Sequence, residues 1–167
     1  MRKTIAPIVA LIVVGAGLAT YFALRTSPDP VTSTYFLMDT VLTVKTTGGD
    51  AASINEQLHA LASSVDSMTS YYKSESETVH VNSAAGKGPV SVSPEYGALL
   101  KTAVAVETLG NDRTFDVAIS PVSSLWGFTT KNFRVPSALE IADTLAYSHP
   151  DQVVLSGTTV QLRDSRA

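Results

Sequence analysis

The stretch TFDVAISPVSSLWGF, Thr114 to Phe128, sets an acid, Asp116, directly after an aromatic, Phe115, and follows them with Trp126 and Phe128. What would use these side chains so close together? The simplest answer is a short helix with an apolar end. Each residue has an ordinary use. A carboxylate at a loop-to-helix junction caps free N–H groups, and Trp126 with Phe128 serves as core. Met38 reads alone as a core thioether on a strand, and Tyr72 as a half-exposed loop aromatic.

Other chemistries lack their residues. His59, His80 and His149 have no metal-binding spacing, and no G-x-S-x-G, G-x-x-x-x-G-K or G-x-G-x-x-G occurs. The chain of 167 residues has no cysteine, so a disulfide framework and a thiolate site are excluded. Arg2, Lys3 and Arg25 belong to the leading segment; the other 9 basic residues face 15 acidic ones, a net of −6. That balance argues against a nucleic-acid partner, whose phosphates need a basic face.

The elements that position these residues follow from periodicity and punctuation. Ile5 to Leu24 is an apolar run of about 20 residues, long enough to span a bilayer, so residues 1–25 are expected to be a transmembrane or signal-anchor helix. Arg2 and Lys3 on its short side place the following domain outside the cytoplasm, on the extracytoplasmic face of the cell membrane. Residues 26–34 are Pro-rich and read as a spacer, and residues 35–167 as one domain. Tyr35 to Thr46 alternates as a strand. Ser53 and Glu56 form a capping-box pattern over a stripe of Ile54, Leu58, Leu61, Val65 and Met68, predicting a helix from about Ser53 to Met68. Ser70 to Asn82 reads as an exposed loop entering a short strand at Val79 and Val81. Ser93-Pro94 opens a helix over Tyr96, Leu99, Leu100, Ala103 and Val106 that ends in Gly110 to Arg113. Ser120-Pro121 opens a short helix stopped by Gly127, and Ser137 with Glu140 caps a third full helix. Gln152 to Arg163 is a hairpin around Ser156-Gly157, lacking partner strands. The order predicts α+β, a mixed sheet with packed helices, preceded by the anchor helix.

Several of these segments together resemble the FAD:protein FMN transferases, the ApbE-like flavin transferases. MDTVLTV, Met38 to Val44, is similar to their first-strand motif, and Ser70, Tyr72, Ser76, Glu77 and Asn82 keep the spacing of their S-x-Y-x-x-x-S-E-x-x-x-x-N loop. PVSVSP, TFDVAISPVSSLWGF and VPSALEI follow in the family's order. The resemblance implies a membrane-tethered, Mg-dependent enzyme that cleaves FAD, attaches FMN to a threonine or serine hydroxyl of an exported redox protein and releases AMP. It also implies that Met38, Tyr72, Thr114, Phe115 and Asp116 contact FAD, with Phe115 and Asp116 as pocket wall and Trp126 with Phe128 packed behind. Arg113 and Ser120 stand where the family has glycine, which alters how closely the backbone approaches a ligand. The family's Asp-Leu-Gly-Gly-Ile-Ala-Lys-Gly motif and its Mg ligands are expected beyond residue 167, so the chain reads as the N-terminal part of a transferase, truncated before its metal-binding motifs.

A second class of function needs less: a non-catalytic, membrane-anchored flavin- or protein-binding module. In a third, Ser156 to Thr159 echoes a flavin-acceptor segment, although serine and glycine are also ordinary turn residues. The anchor makes its own prediction. Protease added to cells stripped of their wall or outer membrane is expected to digest the domain, and complete protection would reverse the topology.

Overall fold

The computed structural model describes residues 12–21, 29–109 and 114–167. They fall into two units, Met1–Ser63 and Ser64–Ala167, each built around its own strands. Residues 12–21 are helical (α1); the remainder of the apolar run from Ile5 to Leu24 lies outside the described residues. Among the described residues no helix is long and apolar enough to cross a membrane.

In the first unit, β1 (Val31–Leu37) pairs antiparallel with β2 (Thr40–Thr46). The single strand expected from Tyr35 to Thr46 is therefore a hairpin, and its first strand begins inside the segment read as a spacer. Met38 and Asp39 make the turn with φ of 52° and 55°. Two positive φ values match the twist of paired strands, a geometry usually filled by Asn-Gly. With no glycine or proline at the turn, alternation ran straight through it.

Helix α2 (Ala51–Thr69) occupies the expected span, but its first bond runs from the Ile54 N–H to the Asp50 carbonyl at 3.0 Å. Ser53 thus lies within the first turn rather than capping it, and its hydroxyl accepts from Gln57 Nε2. The apolar stripe is also displaced. Ile54, Leu58 and Leu61 are 39%, 41% and 62% exposed, whereas Ala51 and Asn55 are buried. Asn55 Nδ2 donates to the Val31 carbonyl at 3.2 Å and to Ser33 Oγ at 3.0 Å, while Oδ1 accepts from Thr46 Oγ1. One turn further, the His59 ring stacks on Tyr35 at 4.0 Å. A polar seam seats this part of α2 on both strands, and hydrophobic periodicity cannot register such a seam.

The second unit begins within α2. The loop and strand expected across Ser70 to Asn82 contain instead helix α3 (Glu77–Ser83). Ser76 caps it by accepting from the Val79 N–H at 3.1 Å and donates its own proton to the Ser70 carbonyl. That cap, with an acid in the first turn, outweighs the alternation of Val79 and Val81. Helix α4 (Pro94–Leu109) starts as expected, with Ser93 Oγ accepting from the Tyr96 N–H at 3.1 Å; its expected end at Gly110 to Arg113 lies outside the described residues. Tyr96 and Glu107 are buried on its packed face, and Leu99 and Val106 are exposed. Helix α5 (Ser120–Leu125) stops at Gly127, whose φ of +82° and 2.0 Å gap between a would-be Cβ and the Asn132 carbonyl oxygen require glycine. Helix α6 (Ala138–Leu145) carries the expected capping box, completed by a 2.8 Å ion pair from Arg134 to Glu140. These bonds hold the Glu140 carboxyl down at about 2, the Arg134 bond contributing most.

The hairpin of β4 (Val153–Ser156) and β5 (Thr159–Leu162) forms as expected, but it is not alone. β3 (Val90–Ser91) pairs with the far edge of β5, giving the order β3-β5-β4. Two residues are too few for alternation to announce β3. Val81, Ala85, Val92, Tyr96, Val160 and Leu162 bury a core between this sheet and helices α3 and α4. The fold is α+β, and its described sheets are two antiparallel ones rather than one mixed sheet.

The polar seam makes a prediction that contrasts with the apolar stripe. Asn55→Ala is expected to lower unfolding stability by about 1–3 kcal/mol, because carbonyl and hydroxyl partners lose their bonds. Leu61→Ser is expected to stay within about 0.5 kcal/mol. Urea unfolding of both variants checks the order, and equal losses would refute the seam.

Candidate functional site

The second unit encloses a cavity of about 390 Å³, within the range of small-molecule sites. Its floor is a chain of hydroxyls. Tyr96 Oη lies 3.1 Å from Thr78 Oγ1, which donates to the Thr69 carbonyl at 3.0 Å, so Tyr96 is the donor to Thr78. Burial pushes the Tyr96 phenol above its ordinary value of 10.0, and the nearby Glu77 charge adds to it. Glu77 does not face an open site. Its Oε2 accepts from the Ser93 N–H and its Oε1 from the Ser93 hydroxyl, each at 2.6 Å, which locks the start of α3 to the start of α4.

The rim is aromatic. Tyr71 and Tyr72 meet edge to face at 5.4 Å, and Ser70 Oγ fixes their turn by accepting from the N–H groups of Tyr72 and Lys73. On the other side Phe128 lines the opening, with Phe133 at 5.9 Å and Trp126 at 6.5 Å from its ring. Asn82, Thr78, Ser120, Ser123 and Thr129 supply polar lining, and among the described residues no lysine or arginine lines the cavity.

Of the residues singled out from sequence, Tyr72 lines the cavity and is 63% exposed at its mouth. Asp116 stands just before the wall formed by Val117 to Ser120; its Oδ1 accepts from the Ala118 N–H at 2.8 Å and its Oδ2 from Ser148 Oγ at 2.7 Å. Thr114 and Phe115 are exposed and lie outside the cavity lining. Phe128, expected behind the wall, is part of it, and only Trp126 packs behind. Met38 belongs to the first unit, where it sits half exposed in the hairpin turn. Tyr71, Thr78 and Tyr96 escaped the sequence reading as site residues because a loop aromatic, a loop threonine and a core tyrosine carry no signal of their own. Among the described residues no three His, Cys, Asp or Glu converge as a metal site. Ser156 to Thr159 form the β4–β5 turn, with Thr159 Oγ1 donating to the Ser156 carbonyl.

Residues 38–167 match the model of the ApbE family. The chain belongs to this family. It is 36% identical over 87 residues to a FAD:protein FMN transferase of Klebsiella pneumoniae, an overlap covering 52% of this chain and 27% of that one. Its fold is similar to that of the ApbE protein of Thermotoga maritima, with a TM-score of 0.74 at 24% identity over 80% of this chain and 45% of that one. The Pseudomonas stutzeri flavinyl transferase ApbE gives 0.72 at 22% identity, over 83% and 48% of the two chains. The chain therefore spans less than half the length of these ApbE relatives.

The Tyr96 phenol yields a pH prediction. A phenol whose folded pKa is raised contributes stability that is fully present below pH 10.0 and lost as pH rises through the folded value. The phenolate absorbance of the folded chain is expected to contain a late alkaline step that Tyr96→Phe removes. A titration unchanged by that substitution would contradict the buried floor.

Proposed function

We propose that this chain forms part of the FAD site of a FAD:protein FMN transferase. The observation that carries the proposal is the aromatic-rimmed cavity lying within the stretch matched to the ApbE family. Tyr72 and Phe128 offer faces to a planar ring, and Asn82 offers an amide to its polar edge. Thr114, Phe115 and Asp116 are proposed to flank the ligand, and Met38 to contact it, on the resemblance alone.

In the proposed reaction, the hydroxyl oxygen of a threonine or serine on an exported redox protein bonds to the FMN-side phosphorus. The bond from that phosphorus to the bridging oxygen breaks, AMP leaves, and the hydroxyl proton passes to a base that we assign to no residue of this chain. The resemblance also calls for Mg²⁺. The described residues do not fit such an ion, so no step is derived through it. Attachment through Ile5 to Leu24, with the domain on the extracytoplasmic side, would put the site where an exported acceptor is found.

Titration of FAD into the chain, followed by flavin fluorescence, is expected to show weak binding. Tyr72→Ala is expected to weaken it about 2- to 10-fold, the effect of ~0.5–1.5 kcal/mol for a stacked ring. Met38→Asn with Asp39→Gly is expected to relieve the hairpin turn by roughly 1 kcal/mol while weakening FAD. With Mg²⁺ and an acceptor domain present, no AMP release is expected from this chain alone. Absence of any FAD binding would refute the proposal, and AMP release would place the missing catalytic groups within these residues.

A further inference from the structure

We infer that Ser148 is a positioning residue: through the Asp116 carboxylate it sets the Val117 to Ser120 wall of the cavity. Ser148 is fully buried and follows α6, and its N–H donates to the Leu145 carbonyl at 3.3 Å. Its hydroxyl lies 2.7 Å from Asp116 Oδ2 and 3.1 Å from the Ala118 carbonyl oxygen, 32 and 30 positions away in sequence. One hydroxyl proton serves these two acceptors, and the shorter, charge-assisted contact takes the larger share. Asp116 Oδ1 meanwhile accepts from the Ala118 N–H, so carboxylate, amide and hydroxyl close a ring that pins residues 116 to 118 to the turn after α6. The chain then runs straight into α5, whose Ser123 N–H donates to the Ile119 carbonyl at 3.0 Å. The wall between these points has little freedom left.

This arrangement gives Asp116 a direction without exhausting it. Each carboxylate oxygen has a second lone pair, so the acid remains able to accept from a ligand while its orientation is held. The contribution to flavin binding rests on the proposed function; the pinning of the loop does not.

The test therefore has two readouts on the full chain. Ser148→Ala is expected to speed amide hydrogen exchange at Ala118 about tenfold, the scale of one lost hydrogen bond, while exchange at Val160 in the core stays unchanged and shows that the variant is folded. Ser148→Thr, which keeps the hydroxyl, should restore protection. With FAD as the probe, Ser148→Ala should weaken binding about tenfold, and the double variant Ser148→Ala with Asp116→Ala should be no weaker than Asp116→Ala alone, because Ser148 acts through that carboxylate. Unaltered exchange at Ala118, or losses of FAD affinity that add, would overturn the inference. A wild-type chain that binds no FAD would remove the flavin reading, and exchange at Ala118 would still decide the role of Ser148.

Discussion

The Glu77 carboxylate, shared between the amide and the hydroxyl of Ser93, is the contact on which the second unit depends. It joins the first residue of α3 to the cap of α4 with two bonds to one residue, each charge-assisted and worth about 1.5–3 kcal/mol at most. With those two helix starts fixed, Thr78 comes within reach of Tyr96, and Val81, Val92 and Tyr96 face β5 as one surface. The cavity floor is the polar edge of that surface. Loss of the carboxylate would leave the start of α3 to the Ser76 cap, the Thr78 bonds and the packing of Val81, and seven residues are too few to hold a helix without such contacts.

Polar contacts play this part repeatedly. Asn55 seats α2 on the hairpin, Ser76 starts α3, Ser137 with Glu140 starts α6, and Ser148 orients Asp116. Of the apolar side chains at helical spacing in α2, Ile54, Leu58 and Leu61 are by contrast exposed, while Met68 packs against the core. A small core closed by buried serine and asparagine is specific rather than tolerant, because each group must find its partner or stand unsatisfied.

This division explains what could be read in advance. Capping serines announce themselves: Ser93 and Ser137 cap α4 and α6, while Ser120-Pro121 opens α5 with Ile119 at the cap position and no side-chain cap bond, and Gly127 marks a stop. Asn55 was invisible as an anchor because an asparagine within a helix resembles a solvated residue until its partners on two strands are known. The Met38-Asp39 turn was hidden by lacking the residues that usually make it. Of the residues that motif spacing singled out, Tyr72 lines the cavity, and the Asp116 carboxylate bonds to the Ala118 N–H and to Ser148 beside its wall. Tyr71, Thr78 and Tyr96 meet only through tertiary packing, which no local pattern encodes.

The position of β5 also orders events in time. Among the described residues it is the last strand in chain order and the central one of its sheet. Val81, Val92 and Tyr96 must await Val160 and Leu162 before their surface is covered. Roughly 80 residues of synthesis separate Val81 from Val160, roughly 4 to 16 s at ~5–20 residues per second. For that interval α3 and α4 present an uncovered apolar face, so a nascent chain of this sequence offers holding chaperones a defined target, and the target vanishes once a single four-residue strand arrives.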